Sequence, residues 1–271
     1  MPTVTSTDGT VIAYETLGEG PAVVLVDGAL CFRNAGPMRP IAEALGARFT
    51  VILYDRRGRG ASTDDTPDGA SAAEAVTLEI EDLDALVSAA GGSAAAFGIS
   101  SGAALALRAA ERLGADRIPS LALFEPPFMP DGALPAAAEY TAALRETLAA
   151  GRREDALGLF FRRVGVPDGA VEGMKRSPTW PATVALAHTL AYDDAALGDS
   201  RVPRELAAAL SVPVLTLAGG ASPDFLRYGA EGVAEAAADG TLTVLENQTH
   251  DADAAAIASA LTRWASLGLA G

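Results

Sequence analysis

The chain is poor in the residues that most often build metal centres and covalent cross-links. It holds one cysteine, Cys31, and two histidines, His188 and His250. A lone cysteine forms no internal disulfide, and two imidazoles leave little material for a zinc site, so neither a metal nor an organic cofactor is expected. Lysine is almost missing: Lys175 is the only one, and the remaining basic side chains are arginines. Acidic residues outnumber basic ones by 35 to 20, a net charge of -15 at pH 7. That excess argues against nucleic acid or an anionic membrane surface as a partner. No apolar run reaches the roughly 18 residues of a membrane span, and Met1 to Asp8 lack the basic and apolar regions of a secretory signal. The expectation is a cytoplasmic protein acting on a neutral small molecule.

What is present is an alternation of short apolar runs and helix-period segments. Thr3 to Thr5 and Val11 to Glu15 are β-prone and joined by Asp8-Gly9, which suits a hairpin turn. Ala22 to Val26, Phe49 to Tyr54, Ala94 to Ile99 and Ser120 to Phe124 read as buried strands, and the strand pattern resumes at Val212 to Ala218 and Thr241 to Leu245. Helical spacing covers about Pro40 to Leu45, Ala73 to Ala90 and Ala254 to Leu267. Between Phe128 and Ala208 the β signal vanishes, and segments 135–150, 153–164, 168–175 and 181–191 are rich in Ala, Leu and Arg at helical spacing. The pattern predicts an α/β fold: a mostly parallel sheet with helices on both faces, its core formed by 1–127 and 209–271 and a helical cap inserted at 128–208.

In such a sheet ligands bind beyond the carboxyl ends of the strands, so the residues just after each strand are the candidates for chemistry. Gly98-Ile99-Ser100-Ser101-Gly102 sits between an apolar strand and an apolar helix. This is the context of a nucleophile elbow, in which a serine hydroxyl is presented at a helix N-terminus. Ser100 needs a base, since an unassisted hydroxyl is a poor nucleophile. His250 follows the final strand in a polar loop, whereas His188 lies within a predicted cap helix, so His250 is assigned as the general base. The Ser101 N–H, with that of Gly28 or Ala29 after the strand ending at Val26, would receive an oxyanion. Beside such a hole an ionised Asp27 would oppose catalysis, so it is expected to anchor its loop or to carry a raised pKa. Asp55 to Ser62, rich in Arg and Gly, reads as a structural turn because it lacks the spacing of phosphate-binding glycine motifs.

Asp27-Gly28-Ala29, Tyr54 to Ser62, the Ser100 elbow and His250, in that order, make the chain resemble the alpha/beta-hydrolase superfamily over nearly its whole length. The resemblance implies a serine hydrolase with a mobile helical cap. It also implies a carboxylate partner for the histidine, by family habit in the loop after the seventh strand, where Asp224 stands two positions late, or at the end of the sixth strand, where Glu125 stands. Asp27-Gly28, Ser100-Ser101-Gly102, Glu125 and Pro178-Thr179-Trp180 further resemble the fungal lactonases that open zearalenone-type macrolactones, whose acid is a glutamate at the position of Glu125. Glu125 is therefore preferred and Asp224 is the second choice.

The expected substrate is a small-molecule ester or lactone, contacted by Leu30, Cys31, Phe128, Trp180, His188 and Tyr192. Cys31, with no basic partner before Arg33, reads as a pocket lining rather than a nucleophile. The competing readings are a non-hydrolytic lyase or cyclase on the same scaffold, with His250 as base, and a receptor that binds without turnover. The sequence leaves the oligomeric state open.

Overall fold

The structure, a computed structural model, describes residues 1–268, with side chains through 264. Its strands are β1 (Thr3–Thr5), β2 (Val11–Leu17), β3 (Ala22–Val26), β4 (Thr50–Tyr54), β5 (Ala95–Ile99), β6 (Leu121–Phe124), β7 (Val214–Gly219) and β8 (Gly240–Leu245). They form one sheet in the order β1-β2-β4-β3-β5-β6-β7-β8. The β1-β2 and β2-β4 pairs are antiparallel and all the others parallel.

Although the central strands read as unbroken apolar runs, their side chains alternate between two cores. Val24, Val26, Ile52, Leu121, Leu123 and Val214 face one cluster, which also contains residues of α2 (Ala72–Ala89), α3 (Ser101–Leu113) and α10 (Asp224–Ala236). Val23, Leu25, Phe97, Ile99, Phe124 and Leu217 face the other, closed by α1 (Met38–Leu45) and α11 (Ala254–Gly268). A strand covered on both faces can afford no polar side, and this is why the runs lack one. Helix α2 begins at a capping box: Ser71 accepts from the Glu74 N–H, and Glu74 reaches back to Ser71.

Between β6 and β7 the chain is helical, as the spacing predicts. It forms α4 (Leu134–Ala149), α5 (Arg153–Arg163), α6 (Asp168–Lys175), α7 (Trp180–Leu186), a 3-10 turn at Ala187–Thr189, α8 (Leu190–Leu197) and α9 (Arg204–Ala209). Helices α4, α5 and α7, with Leu190 at the start of α8, build their own small cluster around Leu144, Leu157, Trp180 and Leu190, and Ala29 and Leu30 of the loop after β3 pack against it. The end of α8 and α9 return to the main body: Ala196, Leu197 and Ala207 belong to the α2–α3 core. Helix α10 has no counterpart in the sequence reading. Its interior Gly229 and Gly232 lower helix propensity, yet a Cβ at Gly229 would collide with the Pro126 carbonyl, and one at Gly232 would lie 2.8 Å from a Val202 methyl. Among the described residues no helix is long and apolar enough to cross a membrane.

Candidate active site

The elbow is built by close backbone approach. A Cβ on Gly98 would lie 2.7 Å from the Ala103 Cα, and one on Gly102 would lie 2.5 Å from the Asp27 carbonyl oxygen and closer still to that of Val26. Glycine at both places lets α3 start directly against the ends of β5 and β3. The turn between them forces Ser100 to φ 56°, ψ -128°, a conformation that a residue with a side chain adopts only when its surroundings impose it. The Ser100 N–H donates to the Phe124 carbonyl (2.9 Å), which fixes the elbow to the end of β6. Ser101 is the first residue of α3, so no helical carbonyl receives its N–H.

Glu125 follows β6 with φ 45° and is fully buried. Its Oε1 accepts the Gly219 N–H (2.7 Å) from the end of β7, and its Oε2 lies 2.6 Å from His250 Nδ1. Burial alone would raise this carboxyl's pKa; the hydrogen bonds from His250 and the Gly219 N–H outweigh it and hold the group below the usual range. An ionised carboxylate only accepts, so the ring proton sits on Nδ1 and the lone pair of Nε2 is left free. The imidazole also stacks on Phe124, ring centroids 5.8 Å apart and planes 14° apart. Two partners thus orient His250 at the strand end that carries the Ser100 backbone. Asp224 is placed elsewhere: it is exposed at the start of α10 and paired with Arg227, not with His250.

Gly28 lies against Ser100, since a Cβ there would be 3.2 Å from Ser100 Cβ and 3.8 Å from Oγ. Its N–H, however, donates to Asp27 Oδ1 (3.0 Å), while the Ala29 N–H has no protein acceptor among the described residues. Of the two candidates for the second oxyanion donor, Ala29 is the free one. Leu30 then turns the loop with φ 60°. Asp27 combines both expectations for it. It anchors the loop through Gly28, and burial pushes its pKa up to about 7 against the opposing pull of Arg59 and Arg56.

The folded protein therefore retains the Asp27 proton above the pH at which the unfolded chain, with a carboxyl near 4, has lost it. By linkage stability falls as pH rises through that window, by about 2–4 kcal/mol in all. Asp27→Asn cannot titrate, so its stability relative to the parent is expected to increase between about pH 5 and about pH 8. Urea unfolding at the two pH values checks this, and a constant difference would refute it.

The other expected substrate contacts separate. Leu30 and Trp180 share the apolar cluster that covers the loop after β3, with Phe161 6.4 Å from the Trp180 ring. Cys31 is half-buried, and burial pushes its thiol up to about 12, which leaves it protonated. Phe128, expected at the start of the helical insertion, is buried in the main core with Val202, Leu210 and Val233. His188 Nε2 and the Tyr192 hydroxyl meet Asp64 in the loop after β4, at 3.3 and 2.8 Å, and His188 Nδ1 is bonded to the Ala185 carbonyl (2.9 Å). Both residues fasten the helical segment between β6 and β7 to the loop after β4. Among the described residues no group of three or more His, Cys, Asp or Glu side chains is placed to hold a metal ion.

The turn after β4 is structural, as its spacing suggests. Asp55 accepts from the Arg33 and Ala61 N–H groups and from the Arg33 guanidinium. Its arginines point inward and meet acids that local sequence reasoning missed: Arg57 pairs with Asp82, Arg56 with Glu79, and Arg56 and Arg59 both with Asp193 of α8. The only signal was the demand itself. Buried guanidinium groups require acidic partners, but nothing local says which acids supply them.

A model of the Alpha/beta hydrolase family matches residues 23–260. The crystal structure of an alpha/beta hydrolase from Sphaerobacter thermophilus is 46% identical to this chain, covers 97% of it and 99% of its own length, and superposes with a TM-score of 0.84. A thermophilic esterase from Thermogutta terrifontis (23% identity, 98% of both chains, TM-score 0.69) and an enol-lactonase from Burkholderia xenovorans (22%, 100% of both, 0.64) share the fold. No curated protein gives a significant match. With the elbow, the sheet order and a family match spanning most of the sequence in agreement, the chain belongs to the alpha/beta hydrolase family.

Proposed function

We propose that this protein hydrolyses a carboxylic ester or lactone with an apolar acyl or alcohol part. The observation that carries the reading is the 2.6 Å contact between Glu125 and His250 Nδ1, at the strand end to which the strained Ser100 is bonded. Ser100 Oγ attacks the carbonyl carbon as His250 Nε2 takes its proton, and the N–H groups of Ser101 and Ala29 receive the charge that develops on oxygen. Collapse of the tetrahedral intermediate breaks the carbonyl carbon–alkoxy oxygen bond, and the imidazolium returns the proton to the leaving alkoxide. Water then adds to the acyl-serine with the same histidine as base, which releases the acid and restores Ser100.

The ionised Glu125 holds the productive tautomer and stabilises the imidazolium. The apolar cluster around Trp180, Leu157 and Leu30 supports a hydrophobic substrate, because it excludes water from one side of the loop that carries Ala29.

An activated fluorophosphonate tests this directly. Intact protein should take up one equivalent at Ser100, and His250→Ala should label at least about 100-fold more slowly, the scale on which a general base contributes. Turnover that survives in Ser100→Ala would favour lyase or cyclase chemistry with His250 as base. Unlabelled protein that still binds an apolar ester would be a receptor. Either result overturns the hydrolase reading.

A further inference from the structure

Asp193 lies on α8, the helix that returns from the cap to the core, and is 5% exposed. Its Oδ1 accepts the Ser101 hydroxyl (2.8 Å), Arg56 Nη1 (2.7 Å) and Arg59 Nη2 (2.9 Å), and its Oδ2 accepts Arg59 Nη2 (2.8 Å). The two guanidinium groups reach past it to the loop after β3. Arg59 Nη1 donates to the carbonyls of Gly28 (2.5 Å) and Cys31 (3.3 Å), and Arg56 Nη1 to that of Asp27 (3.1 Å). Arg56 is also held by both oxygens of Glu79, at 2.7 Å each.

One carboxylate from the cap insertion thereby ties together the residue after the nucleophile and the carbonyls on either side of Ala29. Those are the two places that supply the proposed oxyanion donors. Stability alone does not explain such a cluster, because a buried ion network is often no more stabilising than apolar side chains of the same volume. What the cluster does supply is geometry. Its hydrogen bonds converge from three separate elements, and a shift of a few tenths of an ångström in an N–H would weaken its bond to a developing oxyanion.

We infer that Asp193 is a positioning residue for the oxyanion hole, acting through Ser101, Arg59 and Arg56 and linking the seating of the cap to the catalytic power of the core. The inference rests on the hydrolase reading above. Asp193→Asn removes the charge that holds both arginines, and Ser101→Ala removes a single hydrogen bond while keeping the backbone N–H. The two variants are compared with the parent on a short-chain nitrophenyl ester and on an aryl trifluoromethyl ketone, whose adduct with the serine carries the oxyanion. The fraction of labelled Ser100 counts active sites.

The expected losses in kcat/KM are about 30-fold for Asp193→Asn and about 5-fold for Ser101→Ala. They fall on kcat with KM within about threefold of the parent, and ketone affinity falls by the same factors. A purely structural role would lower the labelled fraction and leave ketone affinity per active site unchanged. That result, or kcat and affinity within about twofold of the parent in both variants, overturns the inference. If Asp193→Asn does not fold, Ser101→Ala decides by the same criteria. Parent protein that neither labels nor turns over the ester overturns the hydrolase reading itself, and the inference with it; a labelled parent with unchanged variants overturns only the role of Asp193.

Discussion

Glu125→Gln is expected to lower kcat on a short-chain nitrophenyl ester by about 10³- to 10⁴-fold, with little change in KM, the scale seen when the acid of a serine triad becomes its amide. The two Glu125 oxygens each accept one N–H, from Gly219 and from His250 Nδ1. An amide has one acceptor oxygen. If it stays with the rigid backbone donor at the end of β7, the new NH₂ faces His250, drives the ring proton to Nε2 and leaves no base for Ser100. If it turns to His250, the Gly219 N–H loses its acceptor in a fully buried place, and the negative charge that stabilises the imidazolium is gone in either case. Asp224→Asn is expected to stay within about twofold of the parent, since exposed side chains away from a site rarely matter and this one faces Arg227. Steady-state kinetics on both variants decide the matter: collapse of the Asp224 variant alone would show that the acid has been misassigned.

The largest effect on folding is expected at Gly102. An alanine there would place its methyl 2.5 Å from the Asp27 carbonyl oxygen and closer to that of Val26, both fixed at the end of a central strand with no flexible side chain to yield. Moving α3 away would open the core it shares with β3 and β5 and shift Ser100. A loss of about 3–5 kcal/mol is expected for Gly102→Ala, a large share of the 5–15 kcal/mol typical of a domain. Gly173 supplies the contrast: it is exposed within α6, with nothing within 4 Å of a built Cβ. Gly173→Ala is expected to gain about 0.5–1 kcal/mol from helix propensity and reduced unfolded-state entropy. Urea denaturation of the two variants and the parent measures both, and a Gly102→Ala protein as stable as the parent would refute the packing argument.

Much of this was legible residue by residue. Ser100, Glu125 and His250 each follow a strand, and in a parallel sheet the carboxyl ends of neighbouring strands converge, so local patterns suffice to nominate them. The hairpin, the buried strands and the helices between β6 and β7 follow from alternation and helical spacing in the same way. Where structure and local pattern differ, a distant partner is the cause. His188 and Tyr192 look like pocket residues because they are polar groups on cap helices, but Asp64, 124 and 128 positions earlier, holds them. Phe128 looks like the first residue of the cap and is part of the main core. Helix α10 is absent from the pattern because its interior Gly229 and Gly232 lower helix propensity, and they are the points at which it approaches Pro126 and Val202.

By itself the sequence determined the periodicities, the glycines of the elbow and the order of strand ends, because these depend on residues within a few positions of one another. Only the tertiary structure decided that Glu125 rather than Asp224 meets His250, that the N–H of Ala29 rather than of Gly28 is free, and that Asp193 answers Arg56, Arg59 and Ser101. The physical reason is the same in each case: a buried charge or N–H must find its partner in space, and the folded chain brings that partner from tens of residues away.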